Sequence, residues 1–210
     1  MTRVAIADDH AVVRKGLRQI ISEAEGLTFV SEAASADELL TMLRSRPIDV
    51  LVLDLSLGLR SGIDLITVVK SEFPRLPIVI LSMHPEDLFA VRALRAGASA
   101  YVEKHSPPEA LLTAIRRVAA GRTYVSAAVG EKIAAAVGRG SVDVMPHERL
   151  SNREFEVFRL LGAGKSVTEI AQVLNLSVKT VSTHRTHILA KTGLRSTSDM
   201  VDYVISHGLR

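Results

Sequence analysis

The chain contains no cysteine. That excludes a disulfide framework and a thiolate metal site, and it fits a reducing compartment. Aromatic residues make up only 4% of the 210 residues, which argues against base-stacking platforms for single-stranded nucleic acid. No apolar run approaches the roughly 20 residues needed to span a bilayer, so no membrane role is expected. The first residues show no signal-peptide pattern, because Asp8 and Asp9 interrupt it at once; a cytoplasmic location is the expectation. Neither sign of charge dominates. The net charge of +3 is too small to name a partner, so its distribution matters more than its sum. The remainder, 47% hydrophobic and 23% charged, is an ordinary globular balance. Its length suits one large domain or two small ones.

Short apolar runs at Val4–Ala7, Thr28–Ala33, Val50–Leu53, Ile78–Leu81 and Ala100–Val102 read as strands. Four of them lack in/out alternation, as expected of parallel strands covered on both faces; Thr28–Ala33 is more mixed and suits an edge. Between them lie amphipathic, helix-length stretches at Ala11–Ser22, Ala36–Arg44, Ile63–Ser71, Leu88–Ala96 and Pro107–Ala120. Ser35 with Glu38, and Ser106 with Glu109, have capping-box spacing. Pro107 suits a first helical turn and Gly121 a stop. Five β-α units predict an α/β fold, a doubly wound five-stranded parallel sheet.

Polar residues end these runs. Asp8 and Asp9 follow the first, Asp54 the third, Ser82 the fourth and Lys104 the fifth. In doubly wound sheets, sites form outside the carboxyl ends of the strands, so this spacing predicts one cluster. Singly, each residue has an ordinary explanation as a turn, cap or surface group; four such coincidences at one sheet edge are improbable. Converging carboxylates repel unless a divalent cation sits among them, and hard oxygen ligands favour Mg²⁺. An aspartate beside such a metal is placed to attack a phosphoryl donor, with a lysine neutralising the equatorial oxygens and a hydroxyl bonding the product.

Ala7-Asp8-Asp9-His10, Asp54-Leu55 with Gly62, Ser82, and Tyr101-Val102-Glu103-Lys104 resemble the receiver domain of two-component response regulators, over about residues 1–122. The resemblance implies that Asp54 accepts phosphate from a histidine kinase. It implies that Asp8, Asp9 and Asp54, with the Ser56 backbone carbonyl, hold Mg²⁺, and that Ser82 and Tyr101 switch together. His10 and His84 read as loop residues. Gly58 stands where relatives usually carry proline and His105 where an acid is common; the more permissive glycine makes phosphoryl lifetime the property in question. A Mg²⁺-dependent phosphohydrolase is the rival enzyme reading, but it needs an aspartate where Ser56 stands.

After Gly121 the pattern changes. Ser126–Val137 predicts an alanine-rich helix, and the turn-rich stretch from Gly138 to Pro146 reads as linker, so residues 123–147 form the connection. From 148 to 210 strand signals vanish and four short helices are predicted. Ser151/Glu154, Ser166/Glu169 and Ser196/Asp199 have capping spacing, and Ser177 is a fourth N-cap candidate. A first helix ending near Asn175 and a second starting after Ser177 make a helix-turn-helix. Val178, Val181 and Ile188 share the face expected to pack on Ile170, Ala171 and Leu174. From Ile170 to Ser198 there is no acid, while Lys179, Arg185, Lys191 and Arg195 are present. That is the footprint of phosphate contact, although a solvated basic face would look alike on charge alone.

Leu150-Ser151-Asn152-Arg153-Glu154, Glu169-Ile170-Ala171 and Leu176-Ser177-Val178-Lys179-Thr180-Val181, with His184, Ile188 and Lys191, resemble the LuxR-type DNA-binding domain over about 148–207. The whole chain is thus similar to a NarL/FixJ-class response regulator, a phosphorylation-controlled transcription regulator rather than an enzyme. The resemblance implies that Ser182, Thr183 and Thr186 face base edges of promoter DNA, and that Lys179, Thr180, Arg185 and His187 favour phosphates. His184 reads equally as a packed residue or a phosphate contact. In the family the last helix, here Thr197–Ile205, supports a homodimer, and Met200, Val201 and Val204 are its exposed apolar candidates, although core packing explains some of that pattern.

Overall fold

The computed structural model describes residues 1–57, 62–138 and 145–209; Gly58 lies outside them. The chain divides into two compact units, Met1–Ala136 and Val137–Arg210.

In the first unit, strands β1 (Thr2–Ala7), β2 (Leu27–Ala33), β3 (Val50–Asp54), β4 (Ile78–Ser82) and β5 (Ala100–Glu103) alternate with helices α1 (Ala11–Glu23), α2 (Ala36–Ser45), α3 (Gly62–Glu72), α4 (Glu86–Arg95) and α5 (Pro108–Ala119). The strands form one parallel sheet in the order β2-β1-β3-β4-β5. Every residue of β3 and β4 is buried, which is why their sequences do not alternate. Val4, Ile6, Val52, Val79 and Val102 pack with Leu17 and Ile21 of α1 and Leu111, Ile115 and Val118 of α5. Each such side chain contributes about 1.5–3 kcal/mol by leaving water. At the other end of the sheet, Asp49 accepts from the Arg3 backbone and guanidinium at 2.7–3.0 Å, tying the start of β1 to that of β3.

The register sets the strand tips. Ala7 pairs with Leu53, and Asp54 with Leu81, so Asp8 and Asp54 leave adjacent strands side by side. The order of strands reverses between β1 and β3, where such sheets open a crevice.

One predicted cap does not form. Pro107, not Ser106, stands at the N-cap of α5, and it makes no side-chain cap bond. A second proline at the first helical position supplies the fixed φ and removes one amide needing a partner. Past Gly121 (φ 74°) the chain turns back along the sheet edge. Tyr124 bridges Ala100, its N–H donating to Ser99 at 3.1 Å and its carbonyl accepting from Tyr101 at 3.3 Å. Helix α6 (Ala127–Gly138) follows.

In the second unit a 3₁₀ turn (Pro146–Arg149) precedes α7 (Asn152–Gly162), α8 (Val167–Val173), α9 (Val178–Thr192) and α10 (Thr197–Ser206). Full capping boxes start α7, α8 and α10, and Ser177 caps α9 by accepting from Thr180. Asn175 takes the left-handed turn between α8 and α9 at φ 50°, and Gly193 ends α9 at φ 75°. Phe155, Phe158, Ile170, Val181, Ile188, Met200 and Val204 form the core.

Two expectations about faces are corrected. Val178, expected to pack, is 48% exposed: it is the first residue of α9, and the buried face begins at Val181. Met200 and Val204, expected at the surface, are fully buried. Gly162 has no side chain, and a Cβ there would lie 2.6 Å from Val204 Cβ; α10 therefore packs directly on α7. Ile205 is the large apolar residue of α10 that is exposed.

Candidate functional site

Beyond the carboxyl ends of β1, β3 and β5, the side chains of Asp8, Asp54 and Lys104 meet. Lys104 Nζ donates to Asp8 Oδ2 at 2.7 Å and to Asp54 Oδ2 at 2.8 Å. Both aspartates are 1% exposed. Burial pushes the Asp54 carboxyl up, opposed by hydrogen bonds from Lys104 and the Ser56 N–H. Burial alone lowers a lysine, but bonds to Asp54 and Asp8 hold Lys104 above its ordinary range. The ammonium thus offsets part of the mutual repulsion of two enclosed carboxylates.

Asp9, more exposed, completes an acidic cluster with Asp8 and Asp54, and His10 joins it; their ligand atoms lie within 4.8 Å of one another. His10 Nδ1 is 2.7 Å from Asp9 Oδ1 and 3.2 Å from Asp8 Oδ1. His10 is a loop residue, as the sequence implies, and its place directly after Asp9 carries it into the cluster. Arg14 steadies the strand end by donating to the Asp8 carbonyl at 2.7 Å. Three carboxylates in reach of one point are a hard-oxygen donor set of the kind that binds Mg²⁺.

Ser82 ends β4 fully buried, and its Oγ accepts from the His84 N–H at 3.0 Å. The Tyr101 ring is buried, and its hydroxyl donates to the His84 carbonyl at 2.9 Å. Ser82 and Tyr101 therefore bear on the same β4–α4 connection, which leads into Glu86. The Glu86 N–H donates to Glu103 at 2.6 Å, and its carboxylate accepts from the Ser126 N–H at 3.0 Å, just before α6. Sequence inspection missed this clasp, since nothing local links residues 40 apart. His105 pairs with Glu103 at 2.7 Å.

The second unit presents α9. Lys179, Thr180, Ser182, Thr183, Thr186 and His187 are exposed. Lys179, Ser182, Thr183, Thr186 and Ala190 form one strip at helical spacing. Two other cations of α9 are engaged within the fold. Arg185 is half-buried and donates to Thr197 at 3.0 Å, and Lys191 pairs with Glu154 at 2.7 Å. His187 lies 3.8 Å from Glu154. His184 is half-buried, its Nδ1 enclosed with no partner among the described residues, and burial lowers its pKa; this favours packing over phosphate contact.

Two family descriptions match the chain: a response regulator receiver domain over residues 4–116 and the luxR family of bacterial regulatory proteins over residues 148–204. The chain is 36% identical over 213 residues to the oxygen regulatory protein NreC of Staphylococcus aureus, covering 99% of this chain and 98% of that protein. It is similar to the structure of RcsB from Salmonella enterica serovar Typhimurium bound to promoter rprA in the presence of phosphomimetic BeF₃⁻. That match has 33% identity and a TM-score of 0.65 over 96% of this chain and 97% of that one. A LuxR-family two-component response regulator from Aurantimonas sp. SI85-9A1 matches at 36% identity and a TM-score of 0.60, over 66% of this chain and 99% of that one.

Proposed function

The chain belongs to the two-component response regulators that join a receiver domain to a LuxR-type DNA-binding domain, and from that premise we propose that Asp54 is its phosphoacceptor and α9 its DNA reader. As a member of that family it is a phosphorylation-controlled transcription regulator, not a classical enzyme. The observation that carries the assignment to Asp54 is the Lys104 ammonium held between Asp54 and Asp8.

Receiver domains generally bind Mg²⁺ at this acidic site. Here Asp8, Asp9 and Asp54, with the Ser56 carbonyl, would hold it, and the ion would supply positive charge against the phosphoryl oxygens. An Asp54 oxygen forms the bond to phosphorus as the bond to the kinase histidine nitrogen breaks. Lys104 turns toward the new phosphoryl oxygens, and Ser82 Oγ donates to one of them. Drawing Ser82 inward bears on the His84 backbone that Tyr101 holds. A pre-existing equilibrium of the β4–α4 connection then shifts toward the phosphorylated form, in which two copies dimerise and occupy paired half-sites in promoter DNA. Lys179, Thr180, Arg185 and His187 contact phosphates; Ser182, Thr183 and Thr186 face bases. The RcsB complexes with DNA support this reading by analogy.

The test is acetyl phosphate with Mg²⁺. Wild type gains one acid-labile phosphate and its mass in light scattering doubles, whereas Asp54→Asn does neither. An unlabelled wild type would leave the receiver a phosphorylation-independent scaffold.

A further inference from the structure

We infer that the centre of α9 reads A·T base pairs, using hydroxyl oxygens as acceptors and methyl groups as apolar contacts. The inference rests on the proposed reading that α9 enters the major groove. Ser182 Oγ lies 2.9 Å from the Val178 carbonyl, Thr183 Oγ1 3.0 Å from that of Lys179, and Thr186 Oγ1 3.2 Å from that of Ser182. A carbonyl oxygen only accepts, so in each pair the hydroxyl donates its single proton to its own helix. Outward it offers lone pairs alone.

The strip that would face base edges therefore has a defined chemistry. Its middle carries three acceptors, the methyls of Thr183 and Thr186, and the Ala190 methyl, all exposed. Lys179 at one end is its cation. In the major groove adenine presents an N6 amino donor and cytosine an N4 donor, while guanine presents O6 and N7, both acceptors; thymine adds a 5-methyl group. Only the A·T pair offers an amino donor together with a methyl. A G·C pair offers the cytosine N4 donor but no methyl, and it sets guanine O6 and N7 against hydroxyl acceptors, where relief would require breaking a bond inside the helix. Specificity is thus by acceptor and methyl matching, with guanine rejected at the central steps.

The full-length protein, treated with acetyl phosphate and Mg²⁺, is used to select duplexes from a random library, and affinities are read by fluorescence anisotropy. The expected half-site centre is A·T. Replacing its adenine by purine, which lacks the 6-amino group, or its thymine by uracil, weakens binding roughly three- to tenfold per contacted step. Thr183→Val and Thr186→Val keep shape and methyl but lose the acceptor. Each is expected to become insensitive to the adenine change at its own step while keeping the thymine–uracil difference, with the circular dichroism of wild type. A centre rich in G·C, weakened by 7-deazaguanine, would show the hydroxyls donating and overturn the inference while leaving the DNA reading intact. A·T enrichment indifferent to both base changes would also overturn it, in favour of groove shape. If no duplex is enriched, and neither salt nor Lys179→Ala alters binding, the inference and the DNA reading fall together.

Discussion

The Lys191 ammonium stands 2.9 and 2.7 Å from the two carboxylate oxygens of Glu154. Glu154 is almost fully buried and also closes the capping box at Ser151. One carboxylate therefore ties the start of α7 to the last turn of α9, and Lys191 serves the fold. Lys191→Met is expected to destabilise the second unit by about 1–3 kcal/mol, less than for an enclosed pair because the lysine is 44% exposed. Urea unfolding followed by circular dichroism measures it. The same substitution should leave the salt dependence of DNA binding unchanged, whereas Lys179→Ala lowers that slope by about 1. Equal slopes for the two variants would return Lys191 to the DNA face.

Glu154 also sets an acid limit. Burial works to raise its pKa, but hydrogen bonds from Lys191 and Ser151 outweigh burial and hold it below the ordinary 4.5. A carboxylate depressed in the folded state contributes stability that is full above its unfolded pKa and is lost as pH falls through the folded one. Wild type minus Glu154→Gln stability should be flat from pH 7 to 5 and shrink below about 4.5. A difference that grows on acidification would contradict the assignment.

Lys104 offsets two enclosed carboxylates. Lys104→Met is expected to cost the receiver about 1–3 kcal/mol without metal, since Asp8 and Asp54 then face each other unpaired. Mg²⁺ should raise the melting temperature of the variant more than that of wild type, because the ion replaces the missing charge. A smaller metal effect in the variant would mean that Lys104 does not hold this balance.

Glu86 clasps the chain where it enters α6. Glu86→Ala removes the acceptor for the Ser126 amide, worth about 1 kcal/mol. Hydrogen exchange at residues 124–130 should quicken about fivefold, while the β1 and β3 amides stay protected. Unchanged exchange at Ser126 would show that the Tyr124 bridge alone secures this segment.

Much of this was legible in the sequence because it is local. The apolar runs gave all five strands, and their polar ends gave Asp8, Asp54, Ser82 and Lys104 at one sheet edge. Serine with an acid three residues on marked the starts of α7, α8 and α10. Reading failed where a decision rested on what lies opposite. Val178 and Val204 have identical side chains, yet one meets water and the other packs on Gly162 of α7. Lys179 and Lys191 are both lysines on a basic helix, yet only Lys191 has Glu154 within reach.

The sequence by itself determined the periodicities, all but one of the predicted caps and the chemical inventory, since each follows from neighbours within one turn or one strand. Only the tertiary structure decided which charges are paired and which apolar faces are covered. Pairing depends on distances between residues 37, 50 or 96 positions apart, which chain order does not fix. A buried carboxylate is tolerable or ruinous according to whether an ammonium stands 3 Å away or 8, and packing alone sets that separation.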